Sequence, residues 1–251
     1  VLGGIAIVLA FVFAQVVAFS IIGTVDVDGS IAPFGALRLS LLQLLGIAAA
    51  MVLLATGVSS LRRVGAVDTP RGSFGAGMQL LLPVGALVLG PSIGFALAAG
   101  DPLLADGMTL PLAAALLLLA VAIAVNEELW FRGLVLDQLD RAHRPWLTVL
   151  GGAVLFGLPH VAATSASWLN AAAVTLAVAI PFTVVRLRVG SIWPLVAWHA
   201  AIDAWAFLHT ASVVPEGTPS AGEAAVALVL PAIVAAGYLR WWSRSRGELT
   251  P

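Results

Sequence analysis

The chain has 251 residues, of which 61% are hydrophobic and 10% charged, with a formal net charge of −1 and no cysteine. Soluble domains carry about a quarter charged residues, so this composition cannot cover a globule in water, and the natural solvent is a lipid bilayer. Disulfides, thiolate metal sites and a cysteine nucleophile are excluded, and with no basic tract the chain offers no surface to nucleic acid.

The first stretch, VLGGIAIVLAFVFAQVVAF, has neither a basic leading region nor a small-residue cleavage site. It reads as a spanning helix and not as a signal peptide. Taken in order, the apolar stretches cover residues 1–22, 34–58, 74–99, 109–136, 146–165, 168–187, 191–210 and 222–242. Each has the roughly 20 residues that carry a helix across about 30 Å of hydrocarbon. They are Leu/Ala/Val blocks without the alternation of a β-barrel strand. The segments between them carry turn chemistry, as in VDVDGS, DTPRGS, GDPLLADG, DRAHRP and PEGTPSAG. The expectation is an all-α, polytopic membrane helix bundle of about eight spans, forming one integral membrane domain over 1–251.

Every basic residue is arginine, and position sets orientation. Arg62, Arg63 and Arg71 follow the second stretch; Arg141 and Arg144 the fourth; Arg186 and Arg188 the sixth; Arg240, Arg244 and Arg246 the eighth. The alternate connections carry Asp26 and Asp28, then Asp101 and Asp106, then Glu216. Both termini are expected in the cytoplasm, in what reads as a bacterial cell membrane. Arg38 is the exception and can snorkel. Trp146, Trp193, Trp241 and Trp242 fall at expected cytoplasmic borders and Trp168 at an outer one, as an aromatic belt would place them.

A few ionisable residues then stand at membrane depth, where they are costly and usually face the bundle interior. These are Glu127, Glu128 and Arg132 in the fourth stretch, His160 in the fifth, and His199 and Asp203 in the seventh. Residues four apart share a helix face, which pairs Glu128 with Arg132, Phe156 with His160, and His199 with Asp203. Glu127 has Phe131 at that spacing and no local partner. It must find one on another helix, bind a cation or take up a proton, which makes it a candidate general base. Asp203 can accept from the His199 ring and fix its tautomer. Two histidines and a glutamate, here Glu127, His160 and His199, are also a zinc-binding combination. Glu128 and Arg132 read as a structural ion pair. His143 and His209 read as solvated, and Asp137 and Asp140 as interfacial loop charges.

The three motifs EELWFR (Glu127, Glu128, Arg132), FGLPH (Phe156, His160) and HAAID (His199, Asp203) occur in order on separate stretches. In this the chain resembles the CPBP intramembrane protease family, which includes the type II CAAX prenyl endopeptidases and bacterial relatives associated with bacteriocin processing and self-immunity. The family pattern is EExxxR, FxxxH and HxxxN/D on successive core helices, and the resemblance covers residues 109–210 as the catalytic core. It implies hydrolysis of a peptide bond in a membrane-associated protein or peptide, within a cavity open to the cytoplasm. In a metal-assisted form, Glu127, His160 and His199 surround zinc or another divalent ion. In a metal-free form, Glu127 and His160 activate water while His199 and residue 203 stabilise the oxyanion. Many members have Asn at 203; an ionised Asp only accepts, so Asp203 must be protonated, orient His199 or sit near a metal. Two other readings are a catalytically silent scaffold or immunity protein of the same fold and a proton-coupled transporter.

Depth poses a geometric problem. At about 1.5 Å per residue, Glu127 falls near the cytoplasmic end of its stretch, and His160 roughly 20 Å from that side. They meet only if the fifth span starts below the surface, tilts, or the fourth extends into the cytoplasm.

Overall fold

The computed structural model describes residues 2–22, 33–67, 69–141, 144–162, 167–210 and 221–247. All regular structure among them is helical. The α-helices are α1 (Leu2–Ile22), α2 (Pro33–Ala55), α3 (Ser73–Leu80), α4 (Leu82–Ala99), α5 (Leu110–Glu127), α6 (Leu136–Asp140), α7 (Gly152–Gly157), α8 (Ser167–Val174), α9 (Ile180–Val189), α10 (Trp193–Thr210) and α11 (Ala221–Gly247). Three π-helical segments, Glu128–Val135, Leu147–Gly151 and Thr175–Ala179, and a 3₁₀ turn, Leu158–Ala162, are inserted between them. By length and composition, Pro33–Ala55, Leu82–Ala99, Leu110–Asp140 and Ala171–Val189 can each cross a membrane. Large apolar side chains such as Leu9, Phe13, Leu110, Leu118 and Ile233 point outward, as lipid-facing residues do and as water-facing ones rarely do in such number. The expectations for Asp26, Asp28, His143 and Glu216 fall outside the described residues, as do those for the side chains of Trp168 and Arg246.

The helix carrying the acidic motif is longer than its apolar run. Thr109 caps it, its Oγ1 accepting the Leu112 N–H at 3.4 Å, with Pro111 in the first turn. It then runs through the π-helical segment to Asp140, 31 residues in all. Asp137 is therefore no loop charge. It lies on α6, its side chain 10% exposed, paired with Arg141 at 2.6 Å and Arg63 at 3.7 Å. This extension removes the depth problem. Glu127 stands thirteen residues before Asp140, and His160 thirteen after Leu147, so both lie about 20 Å from the connection between these helices.

The third apolar stretch is broken. Pro83 has no N–H, and the Val84 N–H turns to Leu81 O at 3.0 Å, which leaves Leu80 O open. The Tyr238 hydroxyl of α11 donates to it. His209, expected in solvent, is half-buried and stacks on Trp205 with ring centroids 5.0 Å apart, while Trp205 Nε1 donates to Ser92 Oγ at 2.9 Å.

Below the bundle, the segment after α2 is held by its main chain. Val58 O accepts from Gln138 Nε2 at 3.0 Å and Arg141 Nη2 at 2.7 Å. Arg63 O accepts from Arg186 Nη2 at 2.7 Å, Gly65 O from the Ile192 N–H at 3.2 Å, and Ala66 O from Trp193 Nε1 at 3.0 Å. Gly65 takes φ +75°, and a Cβ there would lie 2.7 Å from the Arg186 guanidinium carbon, so only glycine fits.

α5 packs on α2 and α10. The contact that α5 and the π-helical segment after it make with α2 is close and polar: Trp130 Nε1 donates to Gly46 O at 3.0 Å, and Asn126 Nδ2 to Gln43 Oε1 at 2.6 Å. Small residues permit such backbone approach in membranes, and side-chain hydrogen bonds then join the helices. A Cβ at Gly46 would meet Asn126 Oδ1 at 2.6 Å, whereas one at Gly90 meets nothing within 4 Å. Gly46→Ala should therefore destabilise the protein by about 1–3 kcal/mol through overpacking, with Gly90→Ala neutral or slightly stabilising. Unfolding of the two variants in the same detergent checks this.

Candidate functional site

The site begins with a backbone irregularity. From Glu128 to Val135 the chain is π-helical, and every residue of that segment is buried. π-helical turns inside longer helices recur at functional sites. Adjacent side chains on an α-helix diverge by about 100°, yet Glu127, the last residue of α5, and Glu128, the first of the π-helical segment, address the same imidazole.

That imidazole is His199, on α10. Its Nδ1 lies 2.9 Å from Glu128 Oε1, and its Nε2 lies 3.9 Å from Glu127 Oε2 and 3.6 Å from Asp203 Oδ2. Glu128 Oε1 also accepts from Arg132 Nη1 at 3.0 Å, with Glu128 and Arg132 essentially excluded from solvent. A carboxylate paired with Arg is ionised and only accepts, so His199 Nδ1 carries the proton in this bond. Glu128 is thus more than half of an ion pair: one oxygen joins α10 to the π-helical segment and fixes the ring's orientation.

Phe156 is the second hub. Its ring covers the Arg132 guanidinium at 3.7 Å, a cation–π contact in a desolvated setting. Its carbonyl accepts from His160 Nδ1 at 3.1 Å, and its ring lies 5.0 Å from the His160 ring and 6.2 Å from that of His199. In the neutral ring this leaves the lone pair on His160 Nε2. Pro159 and the 3₁₀ turn tighten the backbone here. Gly157 lets α7 approach the Thr175 side chain, which a Cβ would strike. His160 thereby packs on the Phe156 ring, which also reaches Arg132 and His199.

The three motifs lie together in the bundle. Glu127, Glu128, Arg132, His199 and Asp203 form one ion-pair cluster, with His160 attached through Phe156. Spacing did not disclose the direct Glu128–His199 contact. Phe182 was also missed: it lies 5.5 Å from Arg132 and 6.4 Å from His199, and one phenylalanine among many apolar residues carries no signal. Asn126 and Gln43 could have been paired from sequence, since both are amides within apolar helices. The donor types, imidazole nitrogen and carboxylate oxygen, are those zinc accepts. Among the described residues, no three of them stand as a metal-holding group in this arrangement.

The family model described as Type II CAAX prenyl endopeptidase Rce1-like matches residues 109–205, a region that begins at the cap of α5 and includes all three motifs. No curated protein and no solved structure matches the chain.

Removing one member of a buried pair leaves the other uncompensated, at a cost of about 3–5 kcal/mol. Arg132→Met should destabilise by that order. Glu128→Gln combined with Arg132→Met should cost clearly less than the two single changes summed. A double-mutant cycle read by unfolding in detergent checks the coupling.

Proposed function

We propose that this protein is an intramembrane endopeptidase that hydrolyses a peptide bond of a membrane-associated protein or peptide. One observation carries the reading. A buried imidazole, His199, is fixed by Glu128 on one side and faced by two further carboxylates, Glu127 and Asp203, on the other, inside the region that matches a peptidase family. The eight-span topology with cytoplasmic termini belongs to the same proposal. It is supported by the unbroken alternation of arginine-bearing and acidic connections, and residues 109–210 are its catalytic core within a single membrane domain.

Glu127 is the general base. Its Oε2 is buried with no hydrogen-bond partner among the described residues, so it is available to take a proton from water. His160, its proton placed on Nδ1 by Phe156 O, offers Nε2 to the same water. His199 donates toward the developing oxyanion, and Asp203 holds the charge and orientation of that ring. Arg132 and Phe156 act through others: the guanidinium holds Glu128, and the phenylalanine screens both from lipid. Were a divalent ion held by Glu127, His160 and His199, it would lower the pKa of a bound water. The roles of Glu128, Arg132 and Phe156 are the same with or without it.

Proteoliposomes carrying single-span peptides, with products read by mass spectrometry, test the assignment. Glu127→Ala should lose about 10²–10⁴-fold in rate, with its helix content and unfolding temperature kept. Equal cleavage by wild type and Glu127→Ala would overturn the site, and no cleavage by either would favour the silent scaffold. Asp203→Asn should lose about 10–100-fold, as removal of an orienting carboxylate does; full retention would assign residue 203 as a donor. Metal analysis separates the two chemistries. A stoichiometric ion lost in both Glu127→Ala and His160→Ala marks the metal-assisted form, and cleavage that survives chelation marks the metal-free one.

A further inference from the structure

The broken third stretch and α11 form the walls of an open groove of about 380 Å³. Leu80, Pro83, Val234, Gly237, Tyr238 and Trp241 line it. Its volume lies within the roughly 300–1,000 Å³ of small-molecule sites. Its one conspicuous polar group is already used, since the Tyr238 hydroxyl donates to Leu80 O. A Cβ at Gly237 would meet nothing within 4 Å, so the groove wall is open there. An aliphatic chain suits these walls, and a polar ligand would find no partner along them.

The mouth of the groove has the opposite character. Arg188, at the end of α9, places its guanidinium carbon 5.9 Å from the ring of Trp241, the same ring that lines the groove. On α11, Val234, Gly237 and Trp241 follow one another at helical spacing, and Arg244 continues that stripe one turn later. Arg188, Arg240 and Arg244 are exposed, and among the described residues none of them forms a salt bridge. Trp146 packs edge-on against Trp242 at 4.9 Å beside them. By the arginine distribution this end faces the cytoplasm, so the cations and indoles sit at headgroup level and the groove runs into the hydrocarbon.

We infer that this groove is a binding site for one anionic phospholipid, with an acyl chain along Leu80, Val234 and Gly237 and the phosphate held by Arg188 and Arg244 at the Trp241 rim. Basic pockets between helices on the cytoplasmic side recognise anionic headgroups, each arginine near the surface being worth about fivefold in affinity. The occupant would bridge α9 and α11 through a groove that the described side chains leave unfilled. The inference does not depend on the proteolytic reading, since none of its residues contacts the acidic cluster.

Native mass spectrometry of the purified full chain, titrated with phosphatidylglycerol or phosphatidylcholine in detergent, tests it. Wild type should retain one phosphatidylglycerol in preference to phosphatidylcholine. Arg188→Gln should lower phosphatidylglycerol affinity about fivefold and phosphatidylcholine affinity less, since the choline cation offsets the phosphate the two lipids share. Gly237→Leu, which fills the groove, should weaken both lipids. Equal retention of the two lipids by wild type would overturn the site, as would unchanged phosphatidylglycerol binding in Arg188→Gln. Arg188 is exposed, so that variant remains informative if Gly237→Leu does not fold.

Discussion

A single carboxylate oxygen organises the interior of this protein. Glu128 Oε1 accepts from Arg132 at 3.0 Å and from His199 at 2.9 Å, and it does so out of reach of water. Buried charge is tolerated only when paired and hydrogen-bonded. The polar core must therefore be assembled together: Arg132 needs Glu128, Glu128 holds His199, and the Phe156 ring must cover the guanidinium. Each requirement fixes one helix against another, and what is fixed is the position of the residues proposed to perform the chemistry.

The backbone complies with that arrangement through departures from α geometry. The helix turns π-helical from Glu128 to Val135, where two consecutive glutamates meet one imidazole, and the 3₁₀ turn at Leu158–Ala162 brings His160 up beneath Phe156. The price of these irregularities is met by close packing of small residues elsewhere, at Gly46 against Asn126 and at Gly157 against Thr175. Irregular turns at the site and tight regular packing around it are two sides of one design. A segment that gives up ideal hydrogen bonds in hydrocarbon must be clamped by its neighbours.

Much of this was legible in the sequence because the bilayer simplifies the code. A charged side chain in an apolar run stands out, and spacing of four places its partner on the same face. That logic identified Glu127, Glu128, Arg132, His160, His199 and Asp203, and the resemblance of their three motifs to one family narrowed the chemistry. It failed where the answer depended on helix geometry that no residue announces. The continuation of the fourth helix through LDQLD to Asp140 looks like an interfacial loop by charge alone, yet it brings Glu127 level with His160. The break at Leu81 was hidden within an uninterrupted apolar run, although Pro83 marks it in hindsight. The partner of Glu128 across the bundle could not be read, because spacing reports neighbours on one helix and says nothing of which helix lies opposite.

The segment that follows α2 is gripped at Val58, Arg63, Gly65 and Ala66, and always by the carbonyl. A carbonyl is the one group every amino acid supplies. Side chains add to that grip at two points, Val64 buried in the core and Arg63 paired with Asp137, while the rest of the hold passes through the main chain. What must persist is a shape, the left-handed turn at Gly65, together with the arginine, glutamine and tryptophan that reach for it.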